Sequence, residues 1–323
     1  MAHSRTAPTP PLRIAFVGAG KVGCSLARYL TDKAGGTGSH VPSGAAAGSG
    51  VVGSGVEPSV TLAGFASSRR GAAEEAAAFA GGIVFAGPVQ AAQAADVLFI
   101  TTPDGQIGAV WEELAEAARA ERVDLAGKIV AHCSGALPSS VLAGAAELGA
   151  LPCSLHPLYA VSSRFECWRE LARCWFALEG DQRACAALAG ILAARGNRCA
   201  RIAAAQKTRY HAAAVMASNL VVGLYARAAA ELARCGLAYA DAEAALAPLF
   251  IGNAEHIAHD GVAAALTGPA ARGDTATIEA HLACLDGDDA EIYRALTRVL
   301  YDIASEQQGS ERTGTEGASE PAR

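Results

Sequence analysis

The chain is 323 residues long, 51% hydrophobic and only 18% charged, enough for about two domains at roughly 150 residues each. A formal charge of −6 supplies no basic field to hold a polyanion, which excludes non-specific nucleic-acid binding and attraction to an acidic membrane surface and leaves small-molecule chemistry. Nine cysteines, an odd number without a CxxC pair, point to neither a disulfide framework nor a zinc site and fit a reducing cytoplasm. The leader MAHSRTAPTPPLR has no apolar run of the signal-peptide kind. The most apolar run, residues 212–225, is too short for a typical bilayer span and carries Ser218 and Asn219 in its middle, so it reads as a buried core helix and no membrane is expected.

Residues 12–18 (LRIAFVG) form a short β-friendly run closed by glycine, and a helix is expected at once over 21–30. The Gly/Ser/Ala stretch 33–58 cannot bury enough surface to offset its ordering entropy and reads as a flexible surface insertion. Strands follow at 60–66, 83–85, 96–102 and 128–133, with helices at 71–80 and 107–120 between them. Apolar strands alternating with helices predict an α/β fold, a doubly wound, mostly parallel sheet covered on both faces. Strands at 151–155, 174–178 and 199–202 extend the sheet around a helix at 182–195. Beyond that only helices are expected, at 206–235, 239–259, 275–285 and 289–307. The expected domains are therefore 12–203, α/β, and 204–307, all-helical, with 1–11 and 308–323 disordered.

GAGKVG (18–23) sits after a strand and opens a helix, the context in which this pattern binds a dinucleotide. Gly18 permits the turn, Gly20 lets the backbone approach a pyrophosphate, and Gly23 lets the helix pack close to the sheet. Lys21, Val22 and Gly23 begin the helix, whose unpaired N–H groups and positive dipole suit phosphate. Where an NAD site usually places a carboxylate at the end of the second strand, this chain has Ser67, Ser68, Arg69 and Arg70. Two hydroxyls and two guanidiniums suit a 2′-phosphate, so NADP (NADPH) is the expected cofactor in preference to NAD. Thr102 and Pro103 leave the 96–102 strand at its carboxyl end, where ligands of open α/β sheets bind, and Asp104 reads as a helix cap.

Ser134, in AHCSGAL, ends the next strand at the same edge and is a substrate-side candidate; His132 there reads equally as structural or functional. His156, before Pro157 in SLHPLYAV, reads either as a substrate contact or as part of a rigid exit. In QKTRYHAAAVMASNL, at about 100° per residue, Lys207, His211 and Ser218 fall within roughly 40° of one another on a helix, while Asn219 lies about 120° from Lys207. Lys207 and His211 are the two groups of this stripe able to deliver a proton near neutral pH, Lys207 only if burial or a neighbouring charge lowers its pKa. Arg272 projects from the turn before a helix capped by Asp274 and could bind a substrate carboxylate, pair with Asp274 or reach another subunit.

With GAGKVG, HCSGAL, LHPLYAV, KxxYHAAAVMASNL and ALTGPAARGDTATIEAHL in this order, the chain resembles the bacterial Rossmann-like and DUF2520 domain-containing proteins. That group is similar in architecture to β-hydroxyacid dehydrogenases, ketopantoate reductases and pyrroline-5-carboxylate reductases. The resemblance implies a Rossmann-type domain, a helical domain that completes the active site, hydride transfer to or from a small carbonyl, hydroxy-acid or imine substrate, and a homodimer. β-Hydroxyacid dehydrogenases use a helix Lys followed four residues later by Asn; here Lys207 takes the Lys place and His211 replaces the Asn. The alternative that stays open is a non-catalytic NADP-binding sensor acting through its helical domain.

Overall fold

The structure, a computed structural model, describes residues 10–32 and 59–316. The expected insertion at 33–58 lies outside the described residues. In chain order the first part contains β1 (Leu12–Val17), α1 (Lys21–Thr31), β2 (Val60–Ala66), α2 (Arg70–Ala80), β3 (Ile83–Val84), α3 (Pro88–Ala94), β4 (Val97–Ile100), α4 (Asp104–Arg119), β5 (Ile129–His132), β6 (Leu151–Pro157), β7 (Trp175–Gly180), α5 (Gln182–Ala193) and β8 (Arg198–Arg201). Helix α3 has no counterpart in the elements read from the sequence; Gly87 at its N-cap and Pro88 in its first turn start it.

The strands form one sheet in the order β3-β2-β1-β4-β5-β6-β7-β8. Neighbours are parallel except for the antiparallel pair β6 and β7. Because the chain leaves β1 toward β2 on one side and reaches β4 on the other, a crevice opens at the carboxyl ends of these strands. Successive side chains of a strand point to opposite faces, so β1 sends Ile14 and Phe16 into one core layer and Ala15 and Val17 into the other. Phe16 stacks against Phe65 (5.6 Å) and Phe99 (4.9 Å), and burying each such ring stabilises the sheet by about 2–3 kcal/mol. On the opposite face Trp111 of α4 is buried and donates its indole N–H to the Ala143 carbonyl at 2.7 Å.

The outermost strand, β3, has two residues and is held tightly: a Cβ on Gly64 (φ +153°) would lie 2.0 Å from the Ile83 carbonyl oxygen. At the other edge β8 exposes Arg198 and Arg201.

The helical part comprises α6 (Lys207–Met216), α7 (Asn219–Arg234), α8 (Tyr239–Ala265), α9 (Pro269–Arg272), α10 (Thr275–Cys284) and α11 (Gly287–Glu316). Three expectations are corrected here. The single helix expected over 206–235 is broken at Ala217 and Ser218, and the boundary between the two compact units falls there, so α6 belongs with the sheet and the second unit begins at Asn219. The run 212–225 is not a buried core helix: Met216, Leu220, Val222 and Leu224 are exposed, because apolar composition does not dictate which face finds cover within the chain. By length and composition the stretch Ala204–Arg234 could cross a membrane, and 6% of its most apolar window is buried. Finally, α11 runs to Glu316, past the expected end at residue 307.

Within the second unit Asp274 caps α10 as expected, accepting from the Thr277 backbone N–H at 3.1 Å. A cavity of about 630 Å³ is lined by Leu224, Leu232, Ile278, Ile292 and Leu296 among others. Of its polar members, Arg227 pairs with Asp289 (2.6 Å) and His281 with the Tyr293 hydroxyl (2.7 Å).

Candidate functional site

At the crevice, a cavity of about 600 Å³ is lined by Gly18 to Gly20, by Ala66 to Arg69, by the Ala86–Gly87–Pro88 turn and by Thr101 to Pro103. Gly18 has φ +113°, and a Cβ there would lie 2.6 Å from the backbone carbon of Thr101. Only glycine fits both demands. The Thr101 hydroxyl donates to the Gly18 carbonyl at 2.8 Å, tying the turn to the end of β4. Gly23 packs just as closely, its absent Cβ 2.4 Å from the Gly18 carbonyl oxygen. Gly20 differs: the nearest atom to a Cβ there is 4.0 Å away, so its open face is the side a ligand can approach.

Gly20 is the N-cap of α1, with no side chain capping it and no acidic residue in the first turn. The helix N-terminus at Lys21, Val22 and Gly23 thus keeps its dipole and N–H groups for an anion, although the Lys21 and Val22 side chains do not line the cavity. The Thr102 hydroxyl is buried on the cavity wall without a hydrogen-bond partner among the described residues. A buried unsatisfied hydroxyl is costly and suits a ligand that completes it.

At the end of β2 the structure divides the four expected phosphate ligands. Ser67, Ser68 and Arg69 line the cavity, and the Ser67 hydroxyl accepts from the Arg69 backbone N–H at 3.3 Å. Arg70 does not line it. As the first residue of α2 its guanidinium turns along the helix to Glu74, four residues on, at 2.9 Å.

The Asp104 cap is also corrected. Pro103 takes the N-cap place without a side-chain bond, α4 starts at Asp104, and the Asp104 carboxylate instead accepts from the Ser134 hydroxyl at 2.7 Å. That hydroxyl further accepts from the backbone N–H groups of Ala136 and Leu137 (3.2 and 3.0 Å), so Ser134 spends its side chain on shaping the loop after β5. His132 is structural. The Ser134 N–H donates to its Nδ1 (3.2 Å), which leaves the proton on Nε2, facing the Pro138 carbonyl (3.3 Å). Burial pushes its pKa down to about 4, aided by the Lys207 charge.

Beneath the loop, the Lys207 side chain is 1% exposed. Its ammonium donates to the Ser134 carbonyl (2.9 Å) and to the Ser154 hydroxyl (2.8 Å), joining the loop after β5 to the middle of β6. Burial lowers its pKa, the change that acid–base use of a lysine requires.

His156 and His211 converge over Gly135. A Cβ on that glycine would lie 2.5 Å from His211 Nδ1 and 3.0 Å from His156 Nε2. The two rings stand edge to face with centroids 6.2 Å apart. His156 Nδ1 is bonded to the Tyr210 hydroxyl at 2.7 Å, while His211 Nδ1 is buried without a hydrogen-bond partner among the described residues. Burial, with the nearby Lys207 charge, lowers the His156 pKa to about 4, and burial pushes the Tyr210 hydroxyl up to about 12. Both groups are neutral at pH 7.

Lys207, His211, His156 and Ser134 are therefore brought together. Ser218 is not part of that stripe: it lies in the turn after α6, its hydroxyl donating to the Ala214 carbonyl at 2.7 Å. Asn219 and Arg272 belong to the second unit, where the charge of Arg272 helps to lower the pKa of Asp274 after the bonds from Thr277. Sequence reading missed Tyr210 and Ser154, whose partners lie 54 and 53 residues away in the chain. It also missed the Gly87–Pro88 wall, which its own Gly-Pro signal could have revealed.

Residues 174–300 match the family described as Domain of unknown function (DUF2520), and residues 59–157 match the Rossmann-like domain. No curated protein matches the chain. Among solved structures it is similar to protein TM1727 from Thermotoga maritima, at 23% identity and TM-score 0.65, covering 91% of this chain and 99% of that one. It is similar also to BF3122 from Bacteroides fragilis, provisionally described as an NADP oxidoreductase, at 20% identity and TM-score 0.61, covering 90% of this chain and 98% of that one. A third is the pyrroline carboxylate reductase of Plasmodium falciparum with NADP bound, at 11% identity and TM-score 0.53, covering 92% of this chain and 96% of that one. At such identities the likeness is one of fold, and it agrees with the doubly wound sheet and glycine turn described above. The chain thus joins a segment that matches the Rossmann-like domain to one that matches DUF2520.

Proposed function

We propose that the chain is an NADP(H)-dependent oxidoreductase acting on the C=O or C=N carbon of a small substrate, or on the corresponding alcohol or amine. The observation that carries this reading is the cavity of about 600 Å³ at the carboxyl ends of β2, β1 and β4, floored by the Gly18–Gly20 turn and ended by Ser67, Ser68 and Arg69 where an NAD site would have a carboxylate. The open face of Gly20 and the uncapped start of α1 would receive the pyrophosphate, the Thr102 hydroxyl a further polar group, and Arg69 with the two serines a 2′-phosphate. The bound cofactor supplies the hydride, and the protein supplies position and electrostatics.

The substrate's reacting atom belongs, in this reading, at the polar cluster over Gly135, which contains both residues singled out for proton handling, Lys207 and His211. Lys207 ties the loop after β5 to β6 beneath it through Ser134 and Ser154. Two of the similar structures support the cofactor, one provisionally described as an NADP oxidoreductase and the other solved with NADP bound. A second copy of the chain is the partner this reading assigns to the exposed Leu220, Val222, Leu249, Phe250 and Ile251 of the second unit, since apolar exposure of this extent marks an interface. Light scattering after gel filtration tests that assignment; a monomer at all concentrations refutes it.

The decisive test of the cofactor is a titration at fixed salt, in which NADPH should bind at least tenfold tighter than NADH, about 1.4 kcal/mol. Equal affinities refute the assignment. A screen of 2-oxo acids, 3-hydroxy acids and cyclic imines, followed by NADPH absorbance, then finds the substrate class.

A further inference from the structure

Three groups near Gly135 can exchange a proton, and the geometry separates them. Lys207 Nζ is sealed, 1% exposed and committed to the Ser134 carbonyl and the Ser154 hydroxyl. His211 Nδ1 lies against Gly135 without a hydrogen-bond partner among the described residues, so no bond to that nitrogen fixes where its ring carries the proton. His156 is different: one ring nitrogen is anchored by the Tyr210 hydroxyl at 2.7 Å, and the other, Nε2, makes no hydrogen bond within the chain among the described residues and faces the space over Gly135.

We propose that His156 is the residue that donates the proton to the substrate, through Nε2, and that Tyr210 is its positioning residue, holding the Nε2–H tautomer by donating its hydroxyl to Nδ1. This rests on the oxidoreductase reading above. A phenol is a stronger acid than a neutral imidazole N–H, and an imidazole nitrogen is a stronger base than a phenol oxygen, so in the Tyr210–His156 bond the phenol donates. With Nδ1 accepting, the single proton of the neutral ring sits on Nε2. The arrangement parallels the orientation of a catalytic imidazole by a partner on its other nitrogen.

A bound reduced nicotinamide would supply the hydride and its electron pair to the substrate carbon, and the C=O or C=N π pair would move onto oxygen or nitrogen. The Nε2 proton passes to that atom, the Tyr210 hydroxyl proton passes to Nδ1, and solvent reprotonates the phenolate. The Lys207 ammonium, 5.7 Å from the centre of the Tyr210 ring, offsets the transient negative charge.

The test is the protonation pattern of His156 in uniformly ¹⁵N-labelled full-length protein at pH 7.5, read from long-range ¹H–¹⁵N correlations, with His156→Gln to assign the resonances. The expected result is an Nε2–H tautomer in the unaltered protein and a shift toward Nδ1–H in Tyr210→Phe. An Nδ1–H tautomer in the unaltered protein overturns the proposal whether or not the Phe variant folds, and so does an unchanged pattern in a folded Tyr210→Phe. With any substrate the screen identifies, Tyr210→Phe should lower kcat at least tenfold with KM within about threefold, and an unchanged kcat overturns the relay. NADPH affinity is the separate control: its absence in the unaltered protein sinks the oxidoreductase reading, whereas unaltered affinity in Tyr210→Phe with lost turnover supports the relay.

Discussion

Replacing His132 by Gln isolates one buried imidazole as an acid sensor of the sheet unit. His132 is 0% exposed, and its pKa falls from 6.5 to about 4, chiefly through burial. A depressed native pKa means that the unfolded chain binds the proton first. The stability contributed by neutral His132 is therefore complete above pH 6.5, drains away as pH falls toward 4, and changes no further once both states are protonated. The full effect is on the order of 3 kcal/mol, of which about 2 kcal/mol is lost between pH 7 and pH 5. That is a large share of a typical 5–15 kcal/mol stability. Gln keeps a donor for the Pro138 carbonyl and an acceptor for the Ser134 N–H but does not titrate. The chain's three tryptophans, Trp111, Trp168 and Trp175, all lie in the sheet unit, so urea unfolding followed by their fluorescence reports that unit alone. Between pH 7 and pH 5 the unaltered protein should lose about 2 kcal/mol more than His132→Gln. Parallel losses in the two proteins would refute the reasoning.

Arg69→Ala should abolish most of the NADPH preference while Arg70→Ala leaves it intact, because only Arg69 lines the cavity and Arg70 is engaged by Glu74; equal effects in titration calorimetry would contradict this division. Gly18→Ala should destabilise the sheet unit by about 3 kcal/mol or more, since strained backbone and a clash with Thr101 add together, and Gly20→Ala should leave its urea midpoint unchanged while weakening NADPH at least tenfold. Gly135→Ala should displace His211 and His156, abolishing turnover with NADPH affinity within about threefold; retention of full turnover would show that the two rings do not need their present approach.

The parts legible in the sequence were those written in local chemistry. A strand, a glycine that must take positive φ, and a helix start lie within about a dozen residues at Leu12–Gly23, so their meaning does not depend on distant partners. Asp104 was misread because its partner, Ser134, lies 30 residues on, and a short polar side chain before a helix is by itself a cap signal. Ser218 was misplaced on a helical wheel that runs through Ala217. No glycine or proline announces the break there, since Ala, Met, Ser and Asn all tolerate a helix, so only tertiary structure reveals where α6 stops. Tyr210 went unread for the same reason: its hydrogen bond to His156 joins α6 to β6, 54 residues away in the chain.

The two edges of the sheet bear on how the molecule avoids uncontrolled self-assembly. An edge strand normally exposes a row of unpaired amides that can template a strand from another copy. Here β3 offers two residues, too few for a ladder. At the opposite margin β8 is four residues long and studded with the exposed guanidiniums of Arg198 and Arg201, so a second copy brought alongside would set like charges against each other. Strand-to-strand polymerisation is thereby disfavoured during and after folding. The exposed apolar surface lies instead largely on helices, whose backbone groups are already satisfied, and there association is governed by side-chain fit and so can be selective.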